Sequence, residues 1–450
     1  MCSLRLWRAE ILPQIFKDWR VLLLASVWLG SVAGLFVSAP MLDHLTGIGL
    51  LVFVLLTLPR ARRETKFLML GGGLITAVLL MTVAGPADAL RGLERSLIFA
   101  GLLPTLQMTK AVALRMPSVR ISQERLASLP GQAADVGIAI GTTVFGSVLN
   151  TGAFALVSAV IKQDATEERR LTAARAAMRG MNISVLWSPF FVGFAVAGTY
   201  LPEVELWQIV PFGFFCVCLS IAIALAMFAR PFSFGAVRDS LACLGPIAPR
   251  LGFAAGTVIL VGALTPLSTL GAIIVVMPVL CAIQFQRHPE QVRPVFEETA
   301  TAMSRMGDDL ALIVVAMVVG TAAGEADALI VHVAPLLEGG LPAPVLLASL
   351  IGIQLLPAVV GIHPIITGTI FLAALTSLPH GILPLALYEA MLAGWGLGSM
   401  ISIASLSVVT AGSMFGVRPL VVAIGPNLLY VLVVWAALVP LLSAVHYAFI

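Results

Sequence analysis

Asparagine occurs at only three positions in this chain, Asn150, Asn182 and Asn427. The first of these lies where a long hydrophobic stretch is interrupted, in Phe145-Gly146-Ser147-Val148-Leu149-Asn150-Thr151-Gly152. A second stretch is interrupted in the same way, at Val359-Val360-Gly361-Ile362-His363-Pro364-Ile365-Ile366-Thr367-Gly368-Thr369. An Asn side chain offers two N–H donors and an acceptor. That set can serve a carboxylate on one side and a cation on the other; its bland use is a hydrogen bond between helices. Ser147 and Thr151 flank Asn150, where hydroxyls either meet a ligand or bond back to helix carbonyls. Gly146, Gly152, Gly361 and Gly368 permit a tight reversal and expose backbone N–H groups to an anion. His363 could bind an anion when protonated or relay a proton; its bland use is a neutral ring bonded to a backbone carbonyl.

Each interruption is followed by a further long apolar segment with polar residues inside it. Residues 172–200 contain Asn182, Ser184, Ser188 and Pro189, and residues 382–412 contain Gly394, Gly396, Gly398, Ser399, Ser402 and Ser405. The three serines are spaced by three, which predicts one helical face; small residues at that spacing also serve close helix packing. The candidate substrate-binding set is therefore Ser147, Asn150, Thr151, Gly152, Asn182, Ser184, Gly361, His363, Thr367, Ser399 and Ser402. Asn150 is in addition a candidate Na⁺ ligand. No catalytic residue and no cofactor is expected. Glu389 opens the last broken segment and is expected to snorkel toward the outer surface, because an acid at the membrane centre is costly. Asp135 has the same ambiguity, Arg179 is expected to face the cytoplasm or an inner vestibule, and Glu325 and Asp327 read as solvated. Gly71-Gly72-Gly73 lacks a following Lys-Ser/Thr and reads as packing, not a phosphate loop.

The elements that must position these residues follow from composition. Of the 450 residues 59% are hydrophobic and 11% charged, with a mean hydropathy of +1.03. A soluble domain is nearer a quarter charged, so the chain is a polytopic membrane protein set in a lipid bilayer. The net charge of +3 is spread over short loops and does not suggest nucleic acid. The five cysteines have no metal-ligand spacing, and Cys216-x-Cys218 reads as two buried thiols. The run from Val21 to Val37 reads as a signal anchor, since further spans follow it.

A bilayer is crossed by about 20 apolar residues. Plain spans fall near 21–39, 43–58, 67–85, 94–114, 205–229, 251–267, 269–285, 308–330 and 419–445, with 172–200 and 382–412 as broken spans. The interrupted stretches 132–161 and 341–376 are longer than one crossing needs. Arg5, Arg8, Lys17 and Arg20 precede the first span and place the N-terminus inside. If both interrupted stretches enter and return on one side, all of the 26 Lys and Arg except Arg91 and Arg95 lie on the cytoplasmic side. The expected fold is thus all-α, with about 11 transmembrane helices plus two re-entrant hairpins, and the C-terminus outside.

The halves share a spacing. Ser96 and Asp309, Asn150 and His363, and the pairs Ala177-Met178 and Ala390-Met391 are each 213 residues apart. Hairpins opening from opposite faces at a common offset predict an inverted-topology repeat around one midplane site. The first repeat would cover 1–230 with its cytoplasm-facing hairpin at 132–161. A cytoplasmic linker would cover 231–250, and the second repeat 251–450 with its outward-facing hairpin at 341–376. The Arg287–Arg305 stretch is amphipathic and reads as an interfacial helix or a loop.

This pattern resembles the ion transporter superfamily, and most closely its divalent anion:sodium symporter type, over roughly residues 45–445. Ser147-Val148-Leu149-Asn150-Thr151 is a stretched form of that family's Ser-Asn-Thr hairpin motif, and Asn182 to Pro189 echoes its later Pro-containing motif. The second hairpin has Gly-Ile-His-Pro in place of Ser-Asn-Thr. The resemblance implies a carboxylate and Na⁺ held at the hairpin tips, and a homodimer.

Together these observations predict a secondary transporter of a small organic anion, expected to be a carboxylate, in a bacterial inner membrane. Without an ATP-binding motif, Na⁺ or H⁺ would supply the energy. An inorganic-ion carrier or cation/H⁺ antiporter on the same fold is the alternative. A membrane enzyme would need paired acids or a metal cluster at one face, for which His288 near Glu290 is the one close pair.

Overall fold

The computed structural model describes residues 18–82, 85–162, 164–229, 232–324, 341–378 and 381–449. Arg5, Arg8, Lys17, Glu325 and Asp327 lie outside them. The described residues form helices and no strand. Six of these helices are long and apolar enough to cross a membrane, and up to nine if each bent pair counts as one span. With its outward apolar faces, this makes the chain an integral membrane protein.

Two compact units divide the chain, and each draws on both halves of the sequence. The first takes residues 1–115 and 257–330. It contains α1 (Trp19–Gly34), α2 (Pro40–Thr57), α3 (Arg63–Thr82), α4 (Pro86–Arg95) and α5 (Leu97–Ala113). From the later part of the chain it adds α14 (Thr269–Arg287), α15 (Val292–Met303) and α16 (Gly307–Gly324). Between these in sequence runs α13 (Ala248–Leu264), within which the division falls. Within the first unit α16 packs against α3 and α4, closely enough that a Cβ on Gly92 would lie 2.6 Å from the Val318 Cα. The Arg287–Arg305 stretch is helical over α15, which Arg115 ties to the end of α5 through Glu298 at 2.6 Å. Along α3, Phe67, Leu70, Leu74 and Met81 point outward, Met81 with 86% of its surface exposed. A face of that composition belongs in lipid.

The second unit takes residues 116–256 and 331–450 and holds every candidate site residue. Its first part runs α6 (Pro117–Ala127), α7 (Gly131–Leu149), the short α8 (Gly152–Ser158), α9 (Glu167–Ile183), a 3₁₀ turn at Ser184–Leu186, α10 (Val192–Tyr200), α11 (Leu206–Phe228) and α12 (Phe234–Cys243). Residues 234–243 of the expected linker are thus a helix, capped by Ser233 and packed on α7. Its second part runs α17 (Ala343–Val359), α18 (Pro364–Thr376), α19 (Pro384–Ile401), α20 (Leu406–Phe415), α21 (Pro419–Ala423) and α22 (Pro426–Phe449).

Contacts fix the direction of these helices. Asp135 pairs with Arg169, Gly180 lies against the Ala139 carbonyl, and the Ser188 hydroxyl donates to the Ser147 carbonyl. Rising numbers meet rising numbers, so α7 and α9 run the same way. The chain between them must therefore come back, and α8 lies on that returning path. Its Leu156 carbonyl is held by Gln123 Nε2 on α6 at 2.9 Å. Thr166 then caps α9, with Glu167 and Glu168 in its first turn where the helix dipole favours acids.

The second part repeats the path. Pro364 lies against Gly398, and Gly368 against Met391, so α18 runs opposite to α19. It also runs opposite to α17, since Gln354 of α17 packs on Gly368. The turn joining α17 to α18 has Gly361 at φ +93°, a conformation open to glycine at no steric cost.

These close approaches depend on missing side chains. A Cβ on Gly180 would stand 2.1 Å from the Ala139 oxygen, whereas one on Gly73 would meet nothing within 4 Å. Gly180→Val is expected to lower stability by about 1–3 kcal/mol or more through overpacking. Gly73→Ala is expected to leave it unchanged or slightly raised. Thermal unfolding of the two purified variants in detergent checks both.

Candidate functional site

The first reversal turns on Asn150, at φ 52° and ψ −134°, the only described non-glycine residue with positive φ. Its side chain holds its own turn, Oδ1 accepting from Thr151 N at 2.7 Å. Ser147 Oγ bonds back to the Val144 carbonyl at 2.7 Å. The Ser147 carbonyl is freed by the end of α7, and the Ser188 hydroxyl takes it up while accepting from Phe190 N at 3.2 Å. The tip is thereby seated on the break that follows α9. Gly146 makes the seat possible, since a Cβ there would reach Ser184 Oγ at 3.0 Å. Asn182 Nδ2 donates to the Met178 carbonyl at 2.9 Å and Ser184 Oγ to the Met181 carbonyl at 2.6 Å. Thr151 and Gly152 start α8, with no cap bond from the Thr151 hydroxyl.

The second reversal is seated in the same manner. Gly361 lies against Ala404, in the break after α19. His363 is the N-cap of α18, its Nδ1 accepting from Ile365 N at 3.2 Å, so the ring nitrogen facing the helix is unprotonated. Its ring meets Trp395 edge-on at 5.4 Å between centroids. Thr367 Oγ1 points back toward the Pro364 carbonyl at 3.5 Å. The expected single face of Ser399, Ser402 and Ser405 does not form. The helix ends at Ile401, and Ser405 caps α20 through Val408 N while donating to the Ser399 carbonyl at 2.6 Å. The Ser405 hydroxyl closes the break here, and the three serines do not share one helical face.

The two parts of the unit meet on α19. A Cβ on Gly396 would stand 2.5 Å from the Asn182 carbonyl oxygen, and one on Gly193 would stand 2.7 Å from the Trp395 ring. Tyr388 donates to the Phe194 carbonyl at 2.7 Å. The structure therefore gathers Asn182, Gly396, Trp395 and His363 around one stretch of α19. Asn150, Ser147 and Ser184 sit on one side at the first break, and Gly361, Ser399 and Ser402 on the other at the second.

Several residues here were not apparent from spacing. Trp395 joins both parts, and its size among glycines is the one sequence signal that marks it. Gln354 is buried with its Oε1 unpartnered, wedged between Gly368 and Gly394. Arg179 does not face the cytoplasm or a vestibule. It is 5% exposed, its guanidinium 3.5 Å over the Phe228 ring and its Nε donating to Asn427 Oδ1 at 2.8 Å. Glu389 does not snorkel; it is 0% exposed. Both corrections have one cause: these side chains point at neighbouring helices of the bundle, where a long side chain cannot reach water.

No protein-family model matches the chain, and no curated protein matches it. Among solved structures, the YdaH transporter of Alcanivorax borkumensis matches over 86% of this chain and 99% of its own, with TM-score 0.57 and 16% identity. Its topology is described as unusual. MtrF of Neisseria gonorrhoeae, described as illuminating a class of antimetabolite efflux pumps, matches over 81% of this chain and 82% of its own at 19% identity, with TM-score 0.35. The first likeness is one of fold: this chain is folded like the YdaH structure.

The Asn150 backbone supplies a test of its side chain. Alanine in that conformation is strained by about 1–3 kcal/mol, and glycine is not. Asn150→Ala is expected to lower the thermal midpoint, and Asn150→Gly to hold or raise it. Equal loss of stability in both would show that the Oδ1 bond to Thr151, and not the backbone, governs the turn.

Proposed function

We propose that this protein is a secondary active transporter of a small organic anion, a carboxylate, working by alternating access. The observation that carries the reading is the doubled arrangement in the second unit. The first reversal is seated on the break after α9 and the second on the break after α19, and both arrangements border α19. Non-helical backbone at membrane depth survives only where protein, water or a ligand satisfies it, and paired interrupted segments of this kind mark transporter binding sites. The fold shared with YdaH supports the same class. On this reading the chain has about 11 spans and two re-entrant hairpins opening from opposite faces, as an inverted repeat.

An anion is favoured by charge. Arg179 is a buried cation, and among the described residues no carboxylate pairs with it; aromatic faces and Asn427 hold it instead. The N-terminus of α18, beginning at Pro364 beside His363, adds about half a positive charge. Asn182 and Trp395 would complete a pocket with one polar and one aromatic wall. Energy would come from a Na⁺ or H⁺ gradient, each charge moved through 100 mV supplying about 2.3 kcal/mol.

Reconstituted into liposomes, the full chain is expected to take up at least one of labelled acetate, benzoate, succinate or glutamate under an imposed Na⁺ or proton gradient. Absence of gradient-dependent uptake of every one would end this reading. His363→Asn retains an N-cap acceptor, whereas His363→Ala removes it at about 0.5–2 kcal/mol. If the ring takes part in binding, both variants lose uptake. Transport kept by His363→Asn alone would assign His363 to the cap.

A further inference from the structure

Glu389 is a carboxylic acid inside a membrane-crossing bundle with nothing to hold its charge. It is 0% exposed, and neither carboxyl oxygen has a hydrogen-bond partner. The group set against it is the thiol of Cys216 on α11, which lies near without completing a hydrogen bond of ordinary geometry and is a weak donor in any case. Of the other titratable groups on helices packed against α19, Cys218 and Tyr447 are exposed, Glu167, Glu168, Arg169 and Arg170 lie in the first turn of α9, and those deeper in the bundle are engaged elsewhere. Arg179 is bonded to Asn427 beneath Phe228 and Tyr430, and Arg175 to the Val421 carbonyl. Tyr430 donates to the Ser220 carbonyl, and His446 accepts from Leu383 N at the start of α19. His363 lies against Trp395, and Tyr200 closes α10. Helices α17, α18 and α20 carry no titratable side chain. The neighbour in sequence, Tyr388, has its hydroxyl committed to Phe194. An ionised carboxylate cannot be kept unpaired in such a place, so this state of the molecule holds Glu389 as the neutral acid.

Its position links it to the site. Glu389 and Gly396 are seven residues apart, two turns on one helix face, and Gly396 is where the Asn182 carbonyl meets α19. Trp395 lies six residues on, about 9 Å along the axis at the helical rise. Any shift of α19 against the segment Asn182–Leu186, or of α11 against α19, therefore changes the surroundings of the carboxyl and the binding region together.

We propose that Glu389 is the proton-carrying group of this transporter, and thus that the coupling ion is H⁺. This rests on the transport reading above. The occluded state holds the acid protonated. When rearrangement admits water from one side, the O–H bond breaks, the proton leaves to that water and the carboxylate remains. The molecule returns through an arrangement other than this one, in which water or a polar group meets the carboxylate, and reprotonation from the other side restores the neutral acid, so one proton crosses per cycle and no other reactant is needed.

Two arms test it with the full chain in liposomes. In the first, wild-type and Glu389→Gln proteins are compared for accumulation of labelled acetate, benzoate, succinate and glutamate under an inward proton gradient, and for exchange of the same labelled acids at equal pH. Glu389→Gln is expected to lose accumulation and keep exchange. Accumulation equal to wild type overturns the proposal and leaves the transport reading standing. Absence of exchange by the wild-type protein overturns both. The second arm uses the unmodified chain and does not depend on how the variant folds. Dicyclohexylcarbodiimide adds to protonated carboxyls in apolar surroundings. Glu389 is expected to be labelled at acid pH, with loss of labelling as pH rises; no labelling at any pH overturns the proposal.

Discussion

The arrangement of the second unit depends on one constraint: backbone groups released where helices stop must be paired without water. At the end of α7 the Ser147 carbonyl is taken by the Ser188 hydroxyl. At the end of α19 the Ser399 carbonyl is taken by Ser405. In each case the partner comes from the break after a crossing helix, so a helix end is stabilised by the start of the next irregular segment. A lost pairing of this kind in an apolar interior costs more than an ordinary hydrogen bond contributes, because desolvation goes uncompensated. The close approach that makes the pairing possible is itself sequence-encoded, by glycines at 146, 180, 213, 368, 394 and 396, whose missing Cβ atoms leave room for a neighbour.

Buried ionisable groups in this unit divide into two kinds. Arg179 is buried and answered: an aromatic face at 3.5 Å and an amide oxygen at 2.8 Å replace its water. Guanidinium is weakly hydrated and planar, so such a substitution suits it. Glu389 is buried and unanswered, although donors could have been supplied at many positions around it. A structural acid would ordinarily be bonded or replaced by an apolar residue, since an unsatisfied polar group lowers stability with no return in packing. That contrast separates a fixed buried charge from a group whose value lies in changing state.

The all-helical, membrane-spanning character of the chain was legible because its signals are regional: composition and long apolar runs depend on many residues. Site details were less legible because they depend on where single side chains point. Ser402 and Ser405 have helical spacing, yet a helix end falls between them and their predecessors. The place of Asn150 at a reversal could be read from the sequence, but the bond of its oxygen to Thr151 could not. The burial of Glu389 and Arg179 is a property of which helix lies opposite, and one chain read without its partners in space does not carry that information.

The two parts of the unit follow similar paths with different chemistry. Where the first turns on an asparagine with positive φ, the second turns on Gly361 and caps the next helix with His363. Where α9 carries a buried cation, α19 carries a buried acid, and the two are not paired with each other. Glu389 corresponds by the common offset to Ala176, so the acid has no counterpart. A path that the chain follows twice need not double binding and coupling with it. On the proposed reading, the polar groups have diverged because an anion and a proton make opposite demands: a fixed positive environment for the first, and a group able to lose its charge for the second. One side chain cannot meet both demands, whereas two related helices packed against each other can.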